Sequence, residues 1–170
     1  MLFRSSFLEK VSEALGESCS LSILHDDEVI YIARSARKRL GSLHRDVGTH
    51  LPAHCTSMGR VLLAALPETD LEAFLAKADL TGFTRFTITD KPALRDTLEK
   101  VRRNDYSLVD QELEMDLRSL AVPIRNAAGR TIAAMNVSAR ASQKSKKQML
   151  DEFLPVMRDA ANNLRPLLIG

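Results

Sequence analysis

The sequence predicts an α+β domain, with strands in antiparallel hairpins and helices before, between and after them. Three observations carry that prediction. Cys19, Leu21 and Ile23 alternate with Ser18, Ser20 and Ser22, and the polar turn His25-Asp26-Asp27-Glu28 joins them to an apolar run from Val29 to Ala33, which is the pattern of a hairpin. Two later runs, Arg118 to Ile124 and Arg130 to Ser138, flank Asn126-Ala127-Ala128-Gly129 and make a second hairpin. Elsewhere apolar residues recur at helical spacing.

Taken in order, Phe3, Phe7, Val11 and Leu15 form the stripe of a first helix that Gly16 is placed to end. The first hairpin follows, its leading strand with one buried face. His25 lies in its solvated turn. Arg34, at the end of the second strand, reads as surface more readily than as a partner for a ligand carboxylate. Arg39 to Leu43 suits a short third strand, and His44 to His50 a connection.

Next comes Leu51-Pro52-Ala53-His54-Cys55-Thr56-Ser57-Met58-Gly59-Arg60-Val61-Leu62-Leu63, the stretch around which the chain is organised. Proline closes an extended approach. Small polar residues lead into an apolar run stopped by Pro67. This is a loop entering a mostly buried helix, with Cys55 or Thr56 near its cap. Gly59 leaves room in the first turn for another backbone or a ligand. Unpaired N–H groups at such a helix start suit a small anion, although capping a core helix requires no ligand.

Thr69-x-x-Glu72 has the form of a capping box, and its helix would carry Leu71, Phe74, Leu75 and Ala78 inward. After a Gly- and Thr-containing connection, Asp90 caps a helix with Pro92 in its first turn and Leu94, Leu98 and Val101 on its apolar face. Asn104 suits a left-handed stop. Tyr106 to Asp110 reads as a strand, followed by an acidic link and the second hairpin. On its second arm Ile132, Ala134, Asn136 and Ser138 share one face, and Ala133, Met135 and Val137 the other. Neither face suits open solvent, so Asn136 and Ser138 need partners. Those partners are backbone and each other, or a ligand in a cavity. The last helix places Leu150, Phe153, Met157, Ala160 or Ala161, and Leu164 on one side. Pro155 kinks it or delays its start, and it is expected to pack on the first helix.

Composition narrows the function. The 170 residues fit one domain, with net charge +2 and acids and bases interspersed. The basic clusters Arg37-Lys38-Arg39 and Lys144 with Lys146-Lys147 read as solvated surface, not as the basic stripe of a nucleic-acid binder. Two cysteines without a secretion signal point to a reducing cytoplasm. No apolar run is long enough to span a bilayer. Glycines form neither a phosphate loop nor a dinucleotide motif, so no cofactor is predicted. His44, His50 and His54 share a window, but they lie in a loop and Pro52 spoils a helical ligand face, which leaves a metal with little support. Catalysis by a His54-Cys55 pair lacks a third orienting group, although a cysteine near a helix start can be redox-sensitive.

The stretch Gly48-Thr49-His50-Leu51-Pro52-Ala53-His54-Cys55-Thr56-Ser57-Met58-Gly59-Arg60-Val61-Leu62-Leu63-Ala64 resembles the hallmark segment of the effector-binding domain of IclR-type bacterial transcription regulators. Its Cys-Thr-Ser-Met-Gly-Arg-Val-Leu-Leu form is similar to the branch that senses aromatic-catabolism intermediates, the Pca and Pob regulators. The resemblance covers essentially the whole chain. It implies a GAF-like domain, with an antiparallel sheet of about six strands, helices on one face and a pocket between sheet and loops. It also implies that residues 1–170 form a single effector-binding and oligomerisation domain, without the family's winged helix-turn-helix. Matching the motif makes Ser57 and Met58 at the helix start, Ser119 on the first hairpin arm, and Asn136 and Ser138 on the second the ligand-binding positions. Asp110 falls at or next to a further one.

The function implied is a cytoplasmic sensor of a small organic acid such as protocatechuate, 4-hydroxybenzoate or β-ketoadipate. It would be no enzyme, would self-associate as a dimer or tetramer, and would reach DNA only through a separate domain. Two alternatives stand beside it: a dimerisation domain without a ligand, and a GAF-like thiol-dependent enzyme using Cys55.

Overall fold

A computed structural model describes residues 2–35 and 45–168, with side chains from residue 6 onward in the first helix. Six strands form one antiparallel sheet in the order β3-β2-β1-β6-β5-β4. They are β1 (Cys19–His25), β2 (Glu28–Ser35), β3 (His50–Pro52), β4 (Ser107–Asp110), β5 (Leu117–Arg125) and β6 (Thr131–Arg140). Both predicted hairpins form, and the sequence-distant β1 and β6 pair at the centre, Ser20 opposite Asn136.

Helices cover both faces of this sheet, not one. On one side α1 (Leu2–Leu15) and α6 (Leu154–Leu164) bury Leu8, Val11 and Met157 against Leu21, Leu120, Val122, Met135 and Val137. On the other, α2 (Ser57–Ala64), α3 (Glu68–Lys77) and α4 (Lys91–Asn104) bury Leu63, Leu71, Leu94 and Leu98 together with Val29, Tyr31, Ala121 and Ala134. Strand alternation therefore sends residues to two interiors. This corrects the single buried face expected of β1: Ser20 and Ser22 are buried, and Ile23 is exposed.

Gly16 ends α1 with φ +69°, and its N–H donates to the Ser12 carbonyl. Asp90 caps α4 as expected, accepting from Ala93 N. The left-handed stop falls one residue later than expected, at Asp105 (φ 59°). The Thr69 capping box does not form, because α3 already begins at Glu68 behind Pro67, with no side-chain cap. The expected strand at 39–43 lies outside the described residues; the strand beside β2 is β3, in the approach to α2. Near Pro155 the last helix enters through a short α5 (Lys146–Gln148) and a π-helical turn, Met149–Phe153, in which Leu154 N–H reaches back to the Met149 carbonyl. Proline has no N–H to give its own turn, and the wider register bridges it.

Candidate functional site

Helix α2 is buried along its whole length, and two contacts fix where it starts. Thr56 Oγ1 accepts from Gly59 N at 3.2 Å and donates to the Pro52 carbonyl at 2.8 Å, capping the helix and tying it to β3. A Cβ built on Gly59 would lie 2.1 Å from the Ala53 carbonyl oxygen. The space that glycine leaves is thus filled by the chain's own backbone.

This placement aims Ser57 at the sheet. Its Oγ stands 2.6 Å from Ser119 Oγ on β5. Ser119 Oγ also accepts from Asn136 Nδ2 at 3.0 Å and from Ser138 Oγ at 3.2 Å. The register explains the cluster, because Ser119 faces Ser138 and Ala121 faces Asn136. Met58 lies beside it, its sulfur accepting from Ser22 Oγ at 3.1 Å. Five residues expected at the site, Ser57, Met58, Ser119, Asn136 and Ser138, thus line one cavity.

Asp110 does not. It pairs with Arg118 in the β4–β5 register and points to the opposite side of the sheet, while its neighbour Val109 faces Ser119 and lines the cavity. A shift of one residue along a strand changes face. Asp110 instead accepts from Arg118 Nε at 2.9 Å and Lys146 Nζ at 3.0 Å. Partial burial raises its pKa, but these two cations outweigh that and hold the carboxyl below its ordinary range.

Sequence reasoning also missed Arg45 and Tyr31. Among the described residues that line the cavity, Arg45 carries the one charge. It comes from what reads as a plain connection, and only the tertiary fold brings it there. Arg34, the arginine that local reasoning singled out, is not among the lining residues. Arg45 Nη2 meets Glu114 Oε2 at 2.9 Å. Leu113 and Leu117, on either side of Glu114, help to cover the cavity. The free space inside is about 20 Å³, room for roughly one water. Among the described residues every buried side-chain nitrogen and oxygen has a partner.

Beneath the helix start, Arg60 forks onto Glu112 at 2.7 Å and 2.5 Å, and its Nε donates to the His54 carbonyl. The Cys55 thiol is driven up to about 12, first by burial and against the pull of Arg60. Burial thus disfavours the thiolate, against what a position near a helix start suggests. His54 spends Nε2 on the Thr81 carbonyl at 2.9 Å. Cys19 and Cys55 are both free thiols. Among the described residues no three His, Cys, Asp or Glu side chains are grouped to hold a metal ion; His44 lies outside them. No described helix is long and apolar enough to cross a membrane.

A six-stranded antiparallel sheet covered on both faces, with a polar cluster under a buried helix start, belongs to the class of C-terminal domains of bacterial transcription regulators. The chain belongs to the family described as the bacterial transcriptional regulator IclR C-terminal domain, whose model matches residues 3–165. It is similar to the Pca regulon regulatory protein of Pseudomonas putida, 42% identical over 165 residues, covering 96% of this chain and 57% of that protein. It also resembles the p-hydroxybenzoate hydroxylase transcriptional activator of Acinetobacter baylyi, 36% identical over 168 residues, with 96% of this chain and 62% of that one covered. The chain thus spans little more than half the length of these curated relatives. Among solved structures, it matches the inducer-binding domain of the Acinetobacter PobR transcription factor, a double mutant in complex with 3-hydroxybenzoic acid. That match has TM-score 0.92, 34% identity and 98% coverage of both chains.

Proposed function

We propose that this chain senses a small aromatic acid and passes its occupancy to a DNA-binding domain of the complete regulator. The observation that carries the reading is the pairing of one guanidinium, Arg45, with the hydroxyl and amide cluster of Ser57, Ser119, Asn136 and Ser138 around a single cavity. Arginine presents planar donors that match a carboxylate. Serine and asparagine both donate and accept, so they suit ring hydroxyls of either polarity. Tyr31, Leu51, Met58 and Val109 give the apolar wall for a ring. The acid in the PobR domain has these same parts, a carboxylate, a hydroxyl and a ring.

A cavity of about 20 Å³ must expand to take such a molecule, since small-molecule sites run to hundreds of cubic ångströms. Expansion suits a sensor. A ligand shifts a conformational equilibrium only if it binds one state better than the other, and a cavity this small makes that distinction. Met58 is unbranched and adaptable, fit to move aside.

The same small volume favours one rival, a domain whose cavity is simply filled by its own side chains. Thermal-shift titration with 3-hydroxybenzoate, 4-hydroxybenzoate, protocatechuate and β-ketoadipate separates the two. At a hundredfold excess over its dissociation constant a ligand adds about 2.7 kcal/mol of stability. A saturable shift with one acid, diminished in Arg45→Gln, supports the sensor. A flat response to all of them supports the filled domain.

A further inference from the structure

We propose that Glu114 is a built-in competitor for the ligand's carboxylate, and so sets how tightly the cavity takes an acid. The inference rests on the acid-sensing reading above. Arg45 is mostly buried, its side chain 16% exposed, whereas that of Glu114 is 45% exposed. Glu114 meets Arg45 through Nη2 alone, at 2.9 Å. A carboxylate entering the cavity approaches the same guanidinium from inside, and the two anions cannot share it without repulsion. Glu114 can be released cheaply, because its half-exposed carboxylate regains water when it leaves.

The surrounding loop gives that exchange a structural consequence. Residues 111–116 are bracketed by two left-handed residues, Gln111 (φ 59°) and Asp116 (φ 63°). Gln111 N–H donates to the Leu117 carbonyl at 2.8 Å, and Asp116 N–H to Gln111 Oε1 at 3.1 Å. Glu112 is anchored inward by Arg60. Glu114 sits between these fixed points, next to Leu113, which helps to cover the cavity. The ion pair therefore latches the cover in the closed state, and ligand acid replaces the latch.

The test is calorimetric titration of this chain with 4-hydroxybenzoate, 3-hydroxybenzoate and protocatechuate, and with the uncharged 4-hydroxybenzamide. Glu114→Gln removes a partly exposed ion pair, so acid affinity should rise about two- to fivefold and amide affinity distinctly less, since the amide gains only from the freed cover. In an Arg45→Gln background the same change should give no gain. Hydrogen exchange at residues 111–116 should quicken when acid saturates the wild-type chain. Acid binding that is equal or weaker in Glu114→Gln overturns the competitor and leaves the acid site standing, as does a gain that persists without Arg45. If neither the wild type nor Glu114→Gln binds any of the acids, the acid-sensing reading itself fails and takes the competitor with it.

Discussion

Ser57 Oγ and Ser119 Oγ stand 2.6 Å apart although 62 residues separate them in the chain. That contact joins the start of a buried helix to strand β5 of the sheet. Ser119 is also the point where Asn136 and Ser138 converge. One hydroxyl thus has three side-chain neighbours, as many as its single proton and two lone pairs can serve. An incoming hydroxyl or carboxylate can take over one of them without leaving the others unpaired.

Replacing that hub has a defined effect. In Ser119→Ala, Asn136 keeps only its 3.3 Å contact to Ser138 within the cluster, and Ser57 loses its partner on the sheet. Leaving buried polar groups short of partners costs about 1–3 kcal/mol. Urea unfolding should show that loss. The acid-induced thermal shift, measured from the variant's own baseline, should shrink as well. A lower baseline with an undiminished shift would confine Ser119 to a structural role.

Gly59 is a sharper case. Its missing Cβ would fall 2.1 Å from the Ala53 carbonyl oxygen and 2.4 Å from Ala53 Cα. Both are backbone atoms, so relief requires α2 to move away from the Ala53 backbone that follows β3. Overpacking costs about 1–3 kcal/mol in ordinary cores and more where backbone must move, and Gly59→Ala should fall at or above the top of that range. Gly82→Ala is the control, since a Cβ there meets its nearest atom, Thr89 Cγ2, at 3.4 Å. Thermal unfolding of the two variants should differ by several degrees at least.

Asp105 supplies a pH-dependent term. Its hydrogen-bonded fork with Arg125 is the largest cause of a carboxyl held below its ordinary 3.8. A depressed folded-state pKa adds stability that is present above the unfolded value and is lost as pH falls through the folded one. Asp105→Asn keeps a residue that tolerates φ 59° and removes the charge. The variant should be less stable than wild type at pH 7, and the gap should close below about pH 3.8 as the wild-type carboxyl takes up its proton. A gap unchanged across that range would assign the loss to something other than ionisation.

How much of this was legible beforehand follows from how local each cause is. The Asp90 cap, the Gly16 stop and both hairpins depend on residues within a few positions of one another, and they formed where expected. Ser57, Met58, Ser119, Asn136 and Ser138 meet because alternation and register are readable once strands are identified. Asp110 stands one residue from the lining Val109, the smallest offset that turns a side chain to the other face. Arg45 had no local signal at all: it enters a loop without periodicity, and its role comes from residues 69 positions away. The burial of Ser20 and Ser22 was hidden too, because serine on an alternating strand normally marks the solvent side, and here a second helical layer lies over it.

The Arg60–Glu112 pair tests whether helix α2 and the 111–116 loop are held together by charge or only by shape. Both residues are buried, at 2% and 8% exposure. Arg60 adds a bond to the His54 carbonyl at 2.9 Å, and Glu112 Oε2 accepts from Ile88 N at 3.2 Å. The pair therefore binds helix α2 to the loop that carries Leu113 and Glu114. Removing one member strands the other charge in a dry site, which costs about 3–5 kcal/mol. Glu112→Gln keeps an oxygen for Ile88 but leaves Arg60 unneutralised, and Arg60→Met does the reverse. Each single change should approach that cost, whereas the double variant should be less destabilised than either, because no buried charge remains. It should not recover fully, since the His54 carbonyl has lost its donor. Urea unfolding of the four chains yields the coupling directly. Losses that simply add would mean water reaches the pair and screens it, and the loop would then owe its position to its other contacts, among them the Thr84 bond to the Gln111 carbonyl and the left-handed turns at Gln111 and Asp116.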